Sequence, residues 1–171
     1  TGNFSEPLSF SMRAFRALKQ RSDEFDLVID NGSLAYGNLK IQKKLGLPIL
    51  GIIHHPITVD RRLELDNART FLERLGKRRW YAFTRMQTRV CQKIQRIITV
   101  SESSKEDISH DHKVDINKIH VVPIGIDTDF FAPQTDIERI PGRIVSTASA
   151  DVPLKGQKFL LEAIAKVRDE F

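Results

Sequence analysis

The chain has little cysteine and no long apolar run. Its 171 residues include one cysteine, Cys91, so no intrachain disulfide can form, and no Cys/His spacing typical of zinc is present. The longest apolar stretches, such as residues 47–53, are strand-sized and too short to span a bilayer, and residues 1–20 lack the apolar core of a signal peptide. We therefore expect a cytoplasmic protein, either soluble or peripheral at the inner face of the membrane.

Two nucleotide-binding signatures are also missing. The sequence contains no Gly-x-Gly-x-x-Gly and no Walker motif, so dinucleotide binding and P-loop chemistry have no direct support. What is present is the composition of a folded domain, because 40% of the residues are hydrophobic and 29% are charged.

Positive charge is concentrated in one part of the chain, residues Arg61–Arg96, which we call the basic segment. It carries eleven Lys and Arg against three acidic residues, a net charge of +8, which leaves −3 for the rest of the chain. Basic and aromatic residues interleave at Lys77–Tyr81, next to Phe83. This pattern is typical of an ordinary amphipathic helix whose Trp80 and Phe83 pack on the domain, or of a surface for anionic lipid, acidic substrate or nucleic acid.

Apolar runs and helical periodicity alternate along the chain. Continuous apolar strands between helices favour a parallel sheet covered on both faces, hence an α/β, doubly wound, Rossmann-like fold. The predicted helices span residues 5–19, 39–44, 66–95 with a break near Gly76, and 101–109, and the predicted strands span 25–29, 48–53, 96–100, 119–122 and 143–147.

Polar side chains follow the predicted strands. In open parallel sheets ligands bind beyond the carboxyl ends of the strands, so these side chains are expected along one edge. Each also has a plain structural reading: Asp30 and Asn31 as a turn, either histidine as a strand cap, and Ser101 as a helix N-cap. The candidate residues are Asp30, Asn31, His54, His55, Ser101, Glu102, Gly125 and Asp127.

A further candidate is Lys155, which with Gly156 precedes a predicted helix. A lysine beside a helix N-terminus adds its charge to the partial positive charge of that terminus, a combination suited to phosphate. The plain reading is a surface lysine at the start of a helix. Lys158, one turn further on, is expected to be solvated.

Five segments together resemble the successive landmarks of the GT-B glycosyltransferases of the glycogen-synthase-like, family 4 type. The resemblance implies retaining transfer of a sugar from a nucleotide-sugar, a UDP- or GDP-sugar, to an acceptor, without a required metal or other cofactor. The segments are Phe25–Ile29, Gly51–Pro56, Ile97–Ser103, Val121–Asp127 and Leu154–Gly156.

The resemblance also implies roles for particular residues. His54 would be the catalytic side chain near the reacting sugar, and His55 stands where many relatives carry an acid. Lys155 and Gly156 would bind the donor diphosphate, although residues 146–153 lack the arginine that the family usually pairs with this lysine. Asp30, Asn31, His55, Ser101 and Glu102 are predicted on the acceptor side, and Gly125 and Asp127 at the domain junction, where glycine permits close approach or positive φ.

By the same resemblance the chain is an internal fragment that is inactive alone. Residues 1–132 would form the acceptor-side domain without its first strand, 133–141 a linker, and 142–171 the start of a nucleotide-sugar-binding domain whose donor-site glutamates lie beyond Phe171. Many members glycosylate lipid-linked acceptors, in agreement with a membrane role for the basic segment. The alternatives are a non-catalytic sugar- or nucleotide-binding protein of the same fold and a nucleic-acid-binding module, although no stacking platform is recognisable and we expect no nucleic acid.

Overall fold

The computed structural model describes residues 5–134, 136–147 and 156–168. The chain divides into two compact units, Thr1–Ile124 and Gly125–Phe171. The domain bounds expected from the sequence, at residues 132 and 142, stay a prediction.

The first unit is built on a four-stranded sheet. Neighbouring strands lie in the order β1-β2-β3-β4 and every pair is parallel, with Asp30 opposite Gly51 and Ile98 opposite His120. The predicted α/β, Rossmann-like class is confirmed. The strands are β1 Val28–Asn31, β2 Ile49–Ile52, β3 Arg96–Thr99 and β4 Ile119–Val121.

Helices connect the strands, as parallel pairing requires. In the first unit, α2 continues into a π-helical turn, Ile41–Leu45, and a 3-10 turn, Tyr81–Phe83, joins α4 to α5. Short 3-10 turns also lie at Ser22–Glu24 and Ile116–Lys118. The α-helices are α1 Ser5–Leu18, α2 Tyr36–Lys40, α3 Ile57–Asp66, α4 Phe71–Trp80, α5 Thr84–Cys91, α6 Glu102–His112 and, in the second unit, α7 Gln157–Val167.

The first strand differs from the prediction of a buried strand over residues 25–29. It begins at Val28, and Asp30 is its one buried residue, whereas Ile29 is 57% exposed. The reason is its position, since β1 is an edge of the described sheet and pairs only with β2 there.

The long helix predicted over residues 66–95 is also wrong, because three helices and a 3-10 turn cover residues 57–91. The break lies before α4, where Thr70 Oγ1 accepts from the Glu73 backbone N–H at 3.1 Å and caps the helix. The predicted break at Gly76 does not occur. Gly76 lies within α4, and apart from its chain neighbours and the backbone of α4 itself, no described atom is within 4 Å of the position that a Cβ would take.

In the second unit, the strand predicted over residues 143–147 does not form. Those residues are irregular, and Ile144 and Val145 are exposed. Within the described residues of this unit, no neighbouring strand offers the pairing that an apolar run needs to become a strand.

The core of the first unit lies between the sheet and its helices. Ile41, Met86, Ile97 and Ile108 are fully buried there, and burial raises the pKa of the neighbouring Cys91 thiol to about 12. None of the helices within the described ranges combines the length and apolar character that a membrane span requires.

Candidate functional site

The carboxyl edge of the sheet brings two of the predicted residues into contact. Asn31 ends β1 and His54 follows β2, and His54 Nε2 lies 3.0 Å from Asn31 Oδ1. An amide oxygen only accepts hydrogen bonds, so Nε2 of the imidazole is the donor in this contact. The result is an exposed imidazole held in one orientation at the edge where parallel sheets bind ligands.

The backbone of His54 is joined to the next strand connection. The hydroxyl of Ser104 donates to the His54 carbonyl at 3.4 Å and accepts from the hydroxyl of Ser101 at 3.1 Å. Ser101 also accepts from the Ser104 backbone N–H at 3.1 Å, so it is the N-cap of α6, the structural reading of this residue. Ser104 was not predicted, although its place three residues after a serine N-cap is a recognisable signal. Glu102 is exposed and lies 3.8 Å from Lys105.

Asp30 is buried and organises the loop after β1. Its Oδ2 accepts from the Leu34 backbone N–H at 2.7 Å, and its Oδ1 accepts from the Ser33 hydroxyl at 2.5 Å. Leu34 itself has a φ of +45°, so the carboxylate stabilises a backbone conformation that side chains disfavour. Asp30 therefore fixes the chain beside Asn31, and contact between Asp30 and an acceptor stays a prediction.

His55 is paired with a carboxylate that sequence reasoning missed. Its Nε2 lies 2.9 Å from Oδ1 of Asp60, and the imidazole is exposed. Asp60 belongs to the first turn of α3, whose N-cap position is Pro56. The contact between His55 and Asp60 depends on the direction in which α3 leaves the sheet, and no local sequence motif predicts that direction.

In the second unit, Asp127 ties a turn, as expected for its type. Its Oδ1 accepts from the backbone N–H groups of Asp129 at 3.1 Å and Phe130 at 2.9 Å. Gly125 does not have a positive φ, and its role at the domain junction stays a prediction.

The predicted phosphate site is only partly visible. Lys155 lies outside the described residues. Gly156 is the residue before α7 and has a φ of +67°, a left-handed conformation that favours glycine.

The part of the chain that the structure describes contains no group of three or more His, Cys, Asp or Glu side chains arranged to hold a metal ion.

Two comparisons with known proteins bear on this site. The family model for Glycosyltransferase Family 4 matches residues 2–130, which include the Asn31–His54 contact. The MMP alpha-(1->4)-mannosyltransferase of Mycolicibacterium hassiacum is 46% identical over 170 residues, or 99% of this chain. The chain spans 40% of the length of that relative.

Proposed function

Because the chain belongs to glycosyltransferase family 4, we propose that its protein transfers a hexosyl group from a nucleotide-sugar to a glycan or lipid acceptor. The family resemblance carried by the five sequence segments is confirmed. The observation that supports the activity is the oriented His54 imidazole beside Asn31, at the ligand-binding edge of the sheet.

The transferred sugar is proposed from the relative, which is named as an alpha-(1->4)-mannosyltransferase. We take mannose as the sugar and GDP-mannose as the first donor to test, with UDP-glucose as the comparison. The sugar of GDP-mannose is α-linked to phosphate, so an α product would mean that configuration is retained.

In the proposed reaction, the bond between the anomeric carbon and the donor phosphate breaks and a bond to an acceptor hydroxyl oxygen forms. The acceptor hydroxyl proton would pass to the phosphate oxygen that bond cleavage frees, and the nucleoside diphosphate would depart carrying the remaining negative charge. Lys155 and the α7 N-terminus after Gly156 would stabilise this charge without a metal. His54 would hold a sugar hydroxyl or the developing charge by a hydrogen bond, its orientation supported by Asn31.

The remaining edge residues are proposed to line the acceptor side. Asn31 ends β1, and His55, Ser101 and Glu102 follow β2 and β3 at the same edge of the first unit. The hydrogen-bonding side chains of Asn31, His55 and Glu102 are exposed and that of Ser101 is half-buried, and all four suit the hydroxyl groups of a sugar.

The basic segment is proposed as a surface for anionic lipid. Within α4, Phe71 and Leu72 are 76% and 77% exposed, and Trp80 is 49% exposed, whereas Phe83 is buried. The plain expectation that both aromatic residues pack on the domain thus holds for Phe83 only. An outward apolar face among arginines is typical of helices that lie in the headgroup region of a membrane.

This surface is tested by vesicle sedimentation. We expect binding to phosphatidylglycerol vesicles at low salt, weaker binding at high salt, and loss of binding in Leu72→Glu. Leu161→Glu on α7 is the control, because Leu161 is also exposed. No binding at low salt would remove the membrane proposal and leave the transferase proposal intact.

Turnover tests the transferase proposal. Protein expressed from the whole gene is incubated with GDP-mannose or UDP-glucose and a mannose oligosaccharide, with and without EDTA, and the product linkage is read by NMR. An α-linked product with EDTA present is expected. Nucleotide-sugar binding without turnover would favour the non-catalytic alternative, and salt-dependent oligonucleotide binding without nucleotide-sugar binding would favour the nucleic-acid one.

A further inference from the structure

A second feature of the first unit is a pocket lined by three arginines. Arg61 of α3, Arg78 of α4 and Arg85 of α5 surround about 240 Å³, and the lining is completed by Tyr81, Ala82 and Thr84. Three helices that are separate along the chain therefore each contribute one arginine to the lining of one space.

Unlike Arg62 and Lys77 beside them, these arginines have no partner among the described residues. Arg62, next to Arg61, lies 3.3 Å from Asp111, and Lys77, next to Arg78, lies 3.1 Å from Glu73. Within the described ranges, the three pocket arginines form no ion pair and no hydrogen bond. Like charges gathered without a counter-charge are unfavourable, so an anion in the pocket would relieve a cost that the fold otherwise bears.

The carboxylates nearest in sequence are already engaged. Glu64 accepts from the Tyr81 hydroxyl at 2.8 Å and lies 3.9 Å from the Lys77 ammonium, and Asp60 faces His55. Burial and the hydrogen bond to Glu64 raise the pKa of Tyr81, which keeps its hydroxyl protonated as the donor to Glu64. The charges of Glu64 and Asp60 act on Tyr81 and offset part of the positive charge, but neither carboxylate is paired with a pocket arginine, so the three guanidinium groups are left for a ligand.

The pocket lies toward the same edge of the sheet as His54. Arg61 belongs to α3, which begins at Ile57, three residues after His54. Arg85 lies in the first turn of α5, and Gln87 of that helix donates from Nε2 to the carbonyl of Gly32, in the loop after β1, at 3.4 Å. A ligand in the pocket would therefore be on the acceptor side of the first unit.

We propose that this pocket binds a phosphate group of the acceptor and so selects phosphorylated acceptors. The assignment to an acceptor rests on the proposed function. Each guanidinium offers a planar fork of N–H donors that matches phosphate oxygens, and three such groups favour a phosphate dianion over a singly charged carboxylate. The phosphate could belong to a soluble sugar phosphate or to a lipid headgroup, since Arg78 shares α4 with the exposed Phe71 and Leu72.

The direct test is binding of inorganic phosphate at low ionic strength, measured by calorimetry. The pocket variant carries Arg61→Gln and Arg85→Gln. The control variant carries Arg69→Gln and Arg74→Gln, which remove the same charge from the basic segment without touching the pocket lining. We expect at least a tenfold loss of affinity in the pocket variant, about the scale for one charged hydrogen bond, and little change in the control. Equal weakening in both variants, or no phosphate binding in the wild type, would overturn the proposal.

Competition identifies the source of the phosphate. If mannose 6-phosphate displaces the bound inorganic phosphate and mannose does not, the acceptor is a soluble sugar phosphate. If phosphatidylinositol vesicles displace it and phosphatidylcholine vesicles do not, the acceptor is a lipid. These measurements do not need turnover, so they separate the two proposals. If the protein transfers sugar but the pocket substitutions do not weaken phosphate binding, only the pocket proposal is rejected. If the pocket substitutions weaken phosphate binding but the protein transfers no sugar, only the transferase proposal is rejected.

Discussion

The crossing of α1 and α2 provides the sharpest prediction about the fold. Gly37, in α2, faces Ser11 of α1 so closely that an added Cβ would lie 2.2 Å from both the carbonyl carbon and the carbonyl oxygen of Ser11. The Gly37 backbone N–H also donates to the Ser11 hydroxyl at 3.2 Å, and Ser11 is fully buried. Gly37→Ala should therefore force the two helices apart.

The expected loss of stability follows from this geometry. The obstructing atoms are backbone, so no side-chain rotation can relieve the clash, and overpacking of this kind costs about 3 kcal/mol, the upper end of the usual range. Separation of the helices also weakens the hydrogen bond from Gly37 to Ser11, worth about 1 kcal/mol. Alanine regains up to about 1 kcal/mol through its better helix propensity. We expect a net loss of about 3 kcal/mol in the free energy of unfolding.

Gly76→Ala is the matched control, because Gly76 is also helical but no described atom would be near its Cβ. The same substitution should there stabilise the protein by about 0.5–1 kcal/mol. Urea unfolding followed by circular dichroism measures both changes. Similar free energies for the two variants, or a Gly37→Ala variant as stable as the wild type, would refute the close approach of α1 and α2.

Three further predictions concern single side chains. Burial lowers the pKa of His112 below its ordinary value of 6.5, so the free energy of unfolding should fall as pH drops below 6.5, by at most about 1.4 kcal/mol per pH unit until the folded-state pKa is reached. Urea titrations from pH 7.5 to 5 should show this slope in the wild type and in His120→Gln, but not in His112→Gln; a slope unchanged in His112→Gln would contradict the assignment. The buried Cys91 thiol should resist iodoacetamide at pH 8 until urea unfolds the chain, and rapid alkylation of the native protein, read by mass spectrometry, would oppose this. In the protein from the whole gene, Lys155→Ala should weaken donor binding and turnover by up to about 3 kcal/mol. Lys158→Ala is the control and should leave both unchanged, because the Lys158 side chain is paired with Glu162. Unchanged donor kinetics in Lys155→Ala would count against the diphosphate role.

The strands were predictable where burial follows a simple pattern. β2, β3 and β4 lie within one or two residues of their expected bounds, because each carries apolar residues that the sheet buries, such as Ile49, Ile97 and Ile119. The run from Phe25 to Leu27 looks the same in sequence but lies outside β1 and is exposed, since an edge strand has a neighbour on one side only.

Helix breaks were harder to predict. A glycine suggests a break, but Gly76 lies in an exposed helix that tolerates its cost of about 1 kcal/mol. The actual break lies just before α4, whose N-cap is Thr70. A threonine N-cap is a recognisable signal in sequence, but here it lies within a long stretch of helical periodicity and was missed.

In the candidate site too, some features follow from local sequence patterns and others do not. Asn31 and His54 were expected along one edge because parallel strands end there, whereas their contact depends on β1 and β2 being neighbours, which only the structure shows. The pairing of His55 with Asp60 and the three-arginine pocket depend on how α3, α4 and α5 cross. Such crossings are set by packing between distant segments, which sequence patterns do not express.

The role of His54 is the central claim, and the rate of sugar transfer by the whole-gene protein tests it most directly. His54→Gln is compared with His120→Gln, a histidine of β4 whose Nε2 lies 2.9 Å from Arg96 and away from the carboxyl edge. With a nucleotide-sugar donor that supports turnover, we predict a fall of at least about 100-fold in kcat/KM for His54→Gln, the scale of losing one hydrogen bond to developing charge, and a rate near that of the wild type for His120→Gln. Equal rates for His54→Gln and the wild type would contradict the account.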